Sequence, residues 1–172
     1  MPSTLLISEN LYSACPFNFP FSKYKVQSNN DGLIEIISNW YLDEWKIPID
    51  YTHQRLTNIP NNDVIFQLIL LKDDEPIATG GLYNKVSLLN VHPKFKKFSP
   101  WIALLYTTKK KRNLGFGELL LRKIEDTSKE IGFKLIYLHT FTAEKLYLKN
   151  NWKPIERVPY KDHVTVVMKK EL

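Results

Sequence analysis

From Tyr24 onward, apolar and polar residues follow in short blocks whose period switches between that of a strand and that of a helix. Residues up to about Ser22 are rich in Pro, Phe, Ser and Asn and show no sustained period, so 1–22 reads as an N-terminal extension and 23–172 as one folded domain. Tyr24–Gln27 reads as a short strand. Asn30-Asp31 offers a cap before apolar positions 33, 36, 37, 40 and 41, one face of a helix ending near Trp45. A weaker helix covers about Ile49–Leu56. Val64–Lys72 and Ile77–Tyr83, joined through Asp73-Asp74-Glu75-Pro76, read as a hairpin, and their continuous apolarity implies burial on both faces.

Beyond a loop rich in Lys and Pro, Trp101–Thr107 reads as a strand. A helix follows from Gly115, with inward positions at 120, 124, 127 and 131 and a stop at Gly132. Phe133–His139 is the next strand, so the intervening helix is expected to connect two parallel neighbours. Ala143–Lys149 reads as a short helix closed by Asn150-Asn151, and strands at about Trp152–Arg157 and Val164–Lys169 flank a turn at Pro159–Asp162. The order predicts an α/β fold, a mixed central sheet flanked by helices.

Composition narrows the function classes. A chain of 172 residues with 44% hydrophobic and 24% charged residues suits one globular unit and excludes wholesale disorder. The apolar run Val64–Leu71 is interrupted by Gln67 and is far shorter than the roughly 20 residues of a spanning helix. The N-terminus lacks a basic segment followed by a long apolar one, so the expected compartment is the cytoplasm. Cys15 is the single cysteine, which excludes an internal disulfide and any zinc site on paired cysteines. His53, His92 and His163 have no carboxylate or cysteine at ligand spacing, so no metal is expected. The net charge of +6 favours an anionic ligand.

Lys109-Lys110-Lys111-Arg112-Asn113-Leu114-Gly115-Phe116-Gly117-Glu118, between a strand and a helix, is the most informative segment. Glycines let a backbone approach a ligand closely, and unpaired amides at a helix N-terminus attract phosphate oxygens. A dinucleotide fingerprint would need a third glycine where Leu120 stands, and a phosphate loop of the nucleotide triphosphatases needs Gly-Lys-Ser/Thr; neither is present. The basic run could equally be a solvated loop or a nucleic-acid patch, but its position favours use against phosphates.

Arg112-Asn113-Leu114-Gly115-Phe116-Gly117 resembles the Arg/Gln-x-x-Gly-x-Gly/Ala hallmark of the GNAT superfamily of N-acetyltransferases, and the order of elements from about Tyr24 onward is similar too. Ala143-Glu144-Lys145-Leu146-Tyr147 resembles a second motif of that family. Asp43-Glu44-Trp45, Ser99-Pro100-Trp101 and Ile136-Tyr137-Leu138-His139-Thr140 are similar to bacterial members with no assigned acceptor. The chain departs from the pattern with Asn at 113 and 151 in place of Gly, Lys at 109 in place of Pro, and Thr at 140 in place of Asn.

The resemblance implies a GNAT-like mixed sheet with helices on both faces, acetyl-CoA as cofactor, and direct transfer of the acetyl group to a primary amine of a small molecule or peptide. It places the thioester on the strand edge at Leu105, Tyr106 and Thr107, the pyrophosphate on Arg112, Asn113, Leu114, Gly115, Phe116 and Gly117, and a further cofactor contact at Thr140. Tyr147 becomes the acid toward the leaving thiolate. Periodicity adds Glu44, which continues the inward series of the first helix and there would need a partner; the alternative is a head group in water. His139 is a candidate base or a structural strand histidine. A catalytically silent acyl-CoA-binding or nucleic-acid-binding module is the other reading. Monomer and homodimer both stay open, with no nucleic acid or membrane expected as partner.

Overall fold

The computed structural model describes residues 21–26 and 30–172. Its strands are β1 (Phe21–Lys25), β2 (Val64–Lys72), β3 (Glu75–Tyr83), β4 (Trp101–Thr107), β5 (Leu135–Thr140), β6 (Lys153–Tyr160) and β7 (His163–Glu171). Its helices are α1 (Asp31–Trp45), α2 (Ile49–Thr57), α3 (Leu88–Val91), α4 (Phe116–Glu130) and α5 (Glu144–Lys149). The strands form one seven-stranded sheet in the order β1-β2-β3-β4-β5-β7-β6. Only β4 and β5 pair in parallel, as the α4 crossover requires. β1 begins at Phe21, paired with Lys72; Gln27, Cys15 and most of the expected extension lie outside the described residues.

Both faces of the sheet are covered, which accounts for apolar residues on both faces of β2. Val64, Ile69 and Leu71 meet Ile34, Ile37 and Tyr41 of α1 and Leu56 of α2. Phe66, Leu68 and Leu70 turn the other way, to Leu120, Leu121 and Ile124 of α4 and to Tyr147 of α5. Each such side chain contributes about 1.5–3 kcal/mol when fully buried.

Two helical stripes differ from their expected positions. In α1 the buried residues are Ile34, Ile37, Ser38 and Tyr41, while Leu33, Ile36 and Trp40 are only half-buried. Ser38 can lie inward because its hydroxyl donates to Ile34 O at 2.7 Å. In α4 the buried stripe includes Glu125, which accepts from Trp152 Nε1 at 2.7 Å and from Lys170 Nζ at 2.5 Å, whereas Ile131 lies past the last turn and is exposed. The loop before β4 contains α3 and a 3-10 turn, Pro93–Lys97, too short to carry a period. Leu88, Leu89 and Phe95 from this segment cover Trp101, Tyr137 and Tyr160.

Candidate active site

β4 and β5 are neighbours that meet at one register pair, Trp101 opposite Tyr137, beside a Tyr137 N–H donating to Pro100 O at 2.9 Å. β3 holds β4 along its outer side and β7 holds β5 along the whole of its length. Beyond Trp101 no further register pair joins the two inner edges, and they part. As a result residues 103, 104, 105 and 107 of a central strand are only half-buried. The notch opens toward the carboxyl ends of two parallel strands, where open α/β sheets bind ligands.

The edge of β4 at this notch is bulged. Thr79 faces Tyr106 and Gly81 faces Ala103, so Leu104 and Leu105 share Gly80, and Leu104 takes φ of 55°. Glycine suits position 80 here, because a Cβ would press on the Leu105 side chain at 2.9 Å from Cδ1 and lie 3.3 Å from Leu105 Cα. The Leu105 side chain turns to the α4 face and the Tyr106 ring to the α1 face. The Gly80-Gly81 pair escaped the sequence reading, although glycines inside a strand pattern signal a bulge or a close approach.

The chain leaves β4 through Thr108 and a 3-10 turn at Lys109–Lys111. Asn113 (φ 61°) and Gly115 (φ 84°) are left-handed while Leu114 between them is not, an alternation that turns successive amides toward one concavity. Residues 112–115 are exposed, and the concavity runs into the N-terminus of α4. At Gly117 a Cβ would touch only Thr107 Oγ1, at 3.4 Å. The protein's own packing leaves that space open, and a phosphate group seated on the α4 amides fits it.

Arg112 turns back from this loop across the end of β4. Its Nε donates to Thr107 O at 3.0 Å, its guanidinium lies 5.5 Å from the centre of the Tyr106 ring, and its Nη2 is 2.9 Å from Glu44 Oε2. Glu44 thus sits half-buried at the rim of α1, with the partner that a desolvated carboxylate requires. Trp40 and Trp45 complete an aromatic wall, their rings 5.3 and 6.0 Å from Tyr106. Burial raises the Tyr106 phenol above its ordinary value, with Arg112 opposing the shift.

On the other side of the notch, Thr140 Oγ1 accepts from Ala143 N at 3.1 Å and so shapes the turn into α5. α5 is braced to the first turn of α4 by Lys149 Nζ on Glu118 at 3.0 Å. That bond, followed by Arg122, holds the Glu118 carboxyl below its usual range. Tyr147 on α5 is buried against Trp152, ring centres 5.9 Å apart, and its hydroxyl has no hydrogen-bond partner among the described residues. Burial drives its phenol far above the ordinary value. His139 lies on the opposite face of β5 from the α4 core, edge-on to Trp101 and Tyr160 at 6.4 and 5.5 Å. Burial, aided by Lys161, lowers its imidazole to about 4.

Fold and site together define a split-sheet α/β protein with an exposed basic, glycine-bearing loop at the mouth of the split. Residues 31–151 match the acetyltransferase (GNAT) family, and the chain belongs to that family. No curated protein sequence matches the chain. Among solved structures, an aminoglycoside 6'-N-acetyltransferase complexed with coenzyme A superposes with a TM-score of 0.69 at 15% identity, covering 87% of this chain and 96% of its own. The aminoglycoside 6'-N-acetyltransferase of Enterococcus faecium gives 0.67 at 15% identity, with coverage of 87% and 96%. A GNAT-family acetyltransferase of Staphylococcus aureus Mu50 gives 0.61 at 19% identity, with coverage of 88% and 98%. No helix among the described residues is long and apolar enough to cross a membrane.

Proposed function

We propose that the protein is an acetyl-CoA-dependent N-acetyltransferase that moves the acetyl group directly to a primary amine of a small molecule or peptide. The observation that carries this reading is the parting of β4 from β5 with the Arg112–Gly117 loop at its mouth. When bound, acetyl-CoA supplies a thioester, an acyl group already activated toward amines.

The loop amides and the α4 N-terminus would hold the pyrophosphate, and Arg112 and the exposed lysines at 109 and 110 add positive charge. The β4 edge from Leu105 to Thr107 would hold the thioester and offer amide donors to charge developing on the acyl oxygen. Thr140 borders the notch from β5. Tyr147, kept protonated by burial, is suited to donate its Oη proton to the leaving sulfur.

An incoming amine is protonated at neutral pH and must lose a proton before attack. Glu44 attracts the ammonium and, through a water, draws off that proton; its Oε1 has no hydrogen-bond partner among the described residues. His139 is enclosed between Trp101 and Tyr160, whereas Glu44 lies half-buried at the rim beside Arg112, so position favours Glu44. Transfer is tested with acetyl-CoA and a panel of aminoglycosides, polyamines, amino acids and peptides, reading free thiol. Binding of acetyl-CoA without thiol release for any amine would overturn the assignment of transfer.

A further inference from the structure

Gln67 is a polar residue in the middle of the most apolar strand, fully buried, with both amide hydrogens donated and its oxygen accepting one hydrogen bond. Its Nε2 donates to Thr79 Oγ1 at 2.6 Å and to Tyr41 Oη at 2.9 Å, and its Oε1 accepts from Tyr83 Oη at 2.8 Å. Thr79 donates its own proton to Leu68 O at 2.8 Å, so it can only accept from Gln67, which fixes which way the amide faces. Tyr41, receiving from Gln67, in turn donates to Leu104 O at 3.0 Å. This directed chain ends on the left-handed residue of the β4 bulge.

The glycine pair of β3 makes room for both parts. A Cβ at Gly81 would overlap Gln67 Oε1 and the Phe66 carbonyl, and one at Gly80 would press on the Leu105 side chain. The bond between Leu104 and Leu105 is trans, so a carbonyl drawn toward α1 by Tyr41 sends the Leu105 N–H the opposite way, to the face on which α4 begins.

We propose that Tyr41, oriented by Gln67, is a positioning residue for the acyl end of the cofactor site: it holds the Leu104 carbonyl so that the Leu105 amide is presented to the thioester carbonyl. The proposal rests on the acetyl-CoA reading above. A buried network of this kind otherwise only adds rigidity, and the two roles separate experimentally.

Calorimetric titration with CoA and with acetyl-CoA is the test, because CoA shares the pyrophosphate and lacks the acyl carbonyl. Tyr41→Phe is expected to weaken acetyl-CoA binding about three- to tenfold, the worth of one hydrogen bond, with CoA binding unchanged. Unchanged CoA binding also certifies the fold. Gln67→Met removes only the amide that orients the Tyr41 hydroxyl and is expected to shift the ratio the same way by a smaller factor. Tyr83→Phe disturbs the far end of the same network without touching Leu104, and is expected to lower the melting temperature while leaving the ratio alone. An unchanged ratio in Tyr41→Phe, or an equal change in Tyr83→Phe, would overturn the positioning role. Wild-type protein that binds neither compound would instead overturn the cofactor reading itself.

Discussion

Glu44, at the end of α1, and Arg112, in the loop before α4, are held 2.9 Å apart, so the carboxylate proposed to meet the amine touches the arginine proposed to face the cofactor's phosphates. The pair is part-exposed and contributes at most about 1 kcal/mol to stability. On the proposed reading, one charge borders the sites of two ligands.

Replacing Glu44 with Gln is therefore expected to act in opposite directions. The loop gains net positive charge, and acetyl-CoA binding should tighten by a few fold; the ammonium loses its anion, and the apparent constant for the amine should rise or turnover fall. Titration calorimetry and steady-state kinetics read the two effects separately. Unchanged amine kinetics would reduce Glu44 to a rim residue.

At Gly117 the expected outcome is loss of ligand-induced stabilisation. Acetyl-CoA at about 100 times its dissociation constant should add roughly 2.7 kcal/mol to the wild type. Gly117→Glu places a side chain and a negative charge in the open space above the α4 amides, and thermal shift with acetyl-CoA should show no gain. Equal gains in both proteins would move the phosphate site elsewhere.

Tyr147→Phe keeps the packing against Trp152 and removes only the proton donor. The chemical step should slow about ten- to a hundredfold, the low end for a general acid because a thiolate leaves tolerably without help. Burial raises the phenol well above its ordinary value, so the acid form persists through pH 10 and the wild-type rate should show no descending limb below that pH. Single-turnover transfer across pH reads both features; equal rates would leave Tyr147 as a core aromatic.

The buried His139 is expected to make stability depend on pH. The unfolded imidazole takes up a proton near pH 6.5 and the folded one only near about 4, so between these values the unfolded state binds more protons. Stability should be level above pH 7 and fall by about 3 kcal/mol as pH drops from 6.5 to 4. Urea unfolding of the wild type against His139→Gln isolates the effect, and parallel curves would show that the histidine titrates normally.

Elements whose signal is local were legible in the sequence. β2 and β4 have the expected bounds, because a long buried strand and a strand ending at a basic, glycine-bearing loop leave their marks within a few neighbouring residues. The same holds for the helix stop at Gly132, where φ of 100° suits glycine. The family resemblance could be stated from Arg112–Gly117 and Tyr147 for the same reason.

Tertiary structure alone decided what depends on residues distant in the chain. The parting of β4 from β5 beyond Trp101 and Tyr137, and the bulge of β4 against Gly80, bring together residues far apart in the chain, which no periodicity encodes. Whether Glu44 faced core or water turned on Arg112, and why Gln67 interrupts an apolar strand turned on Tyr41, Thr79 and Tyr83. A sequence shows that a polar group is headed for the interior; desolvation then demands a partner, and only the folded chain reveals which one meets it.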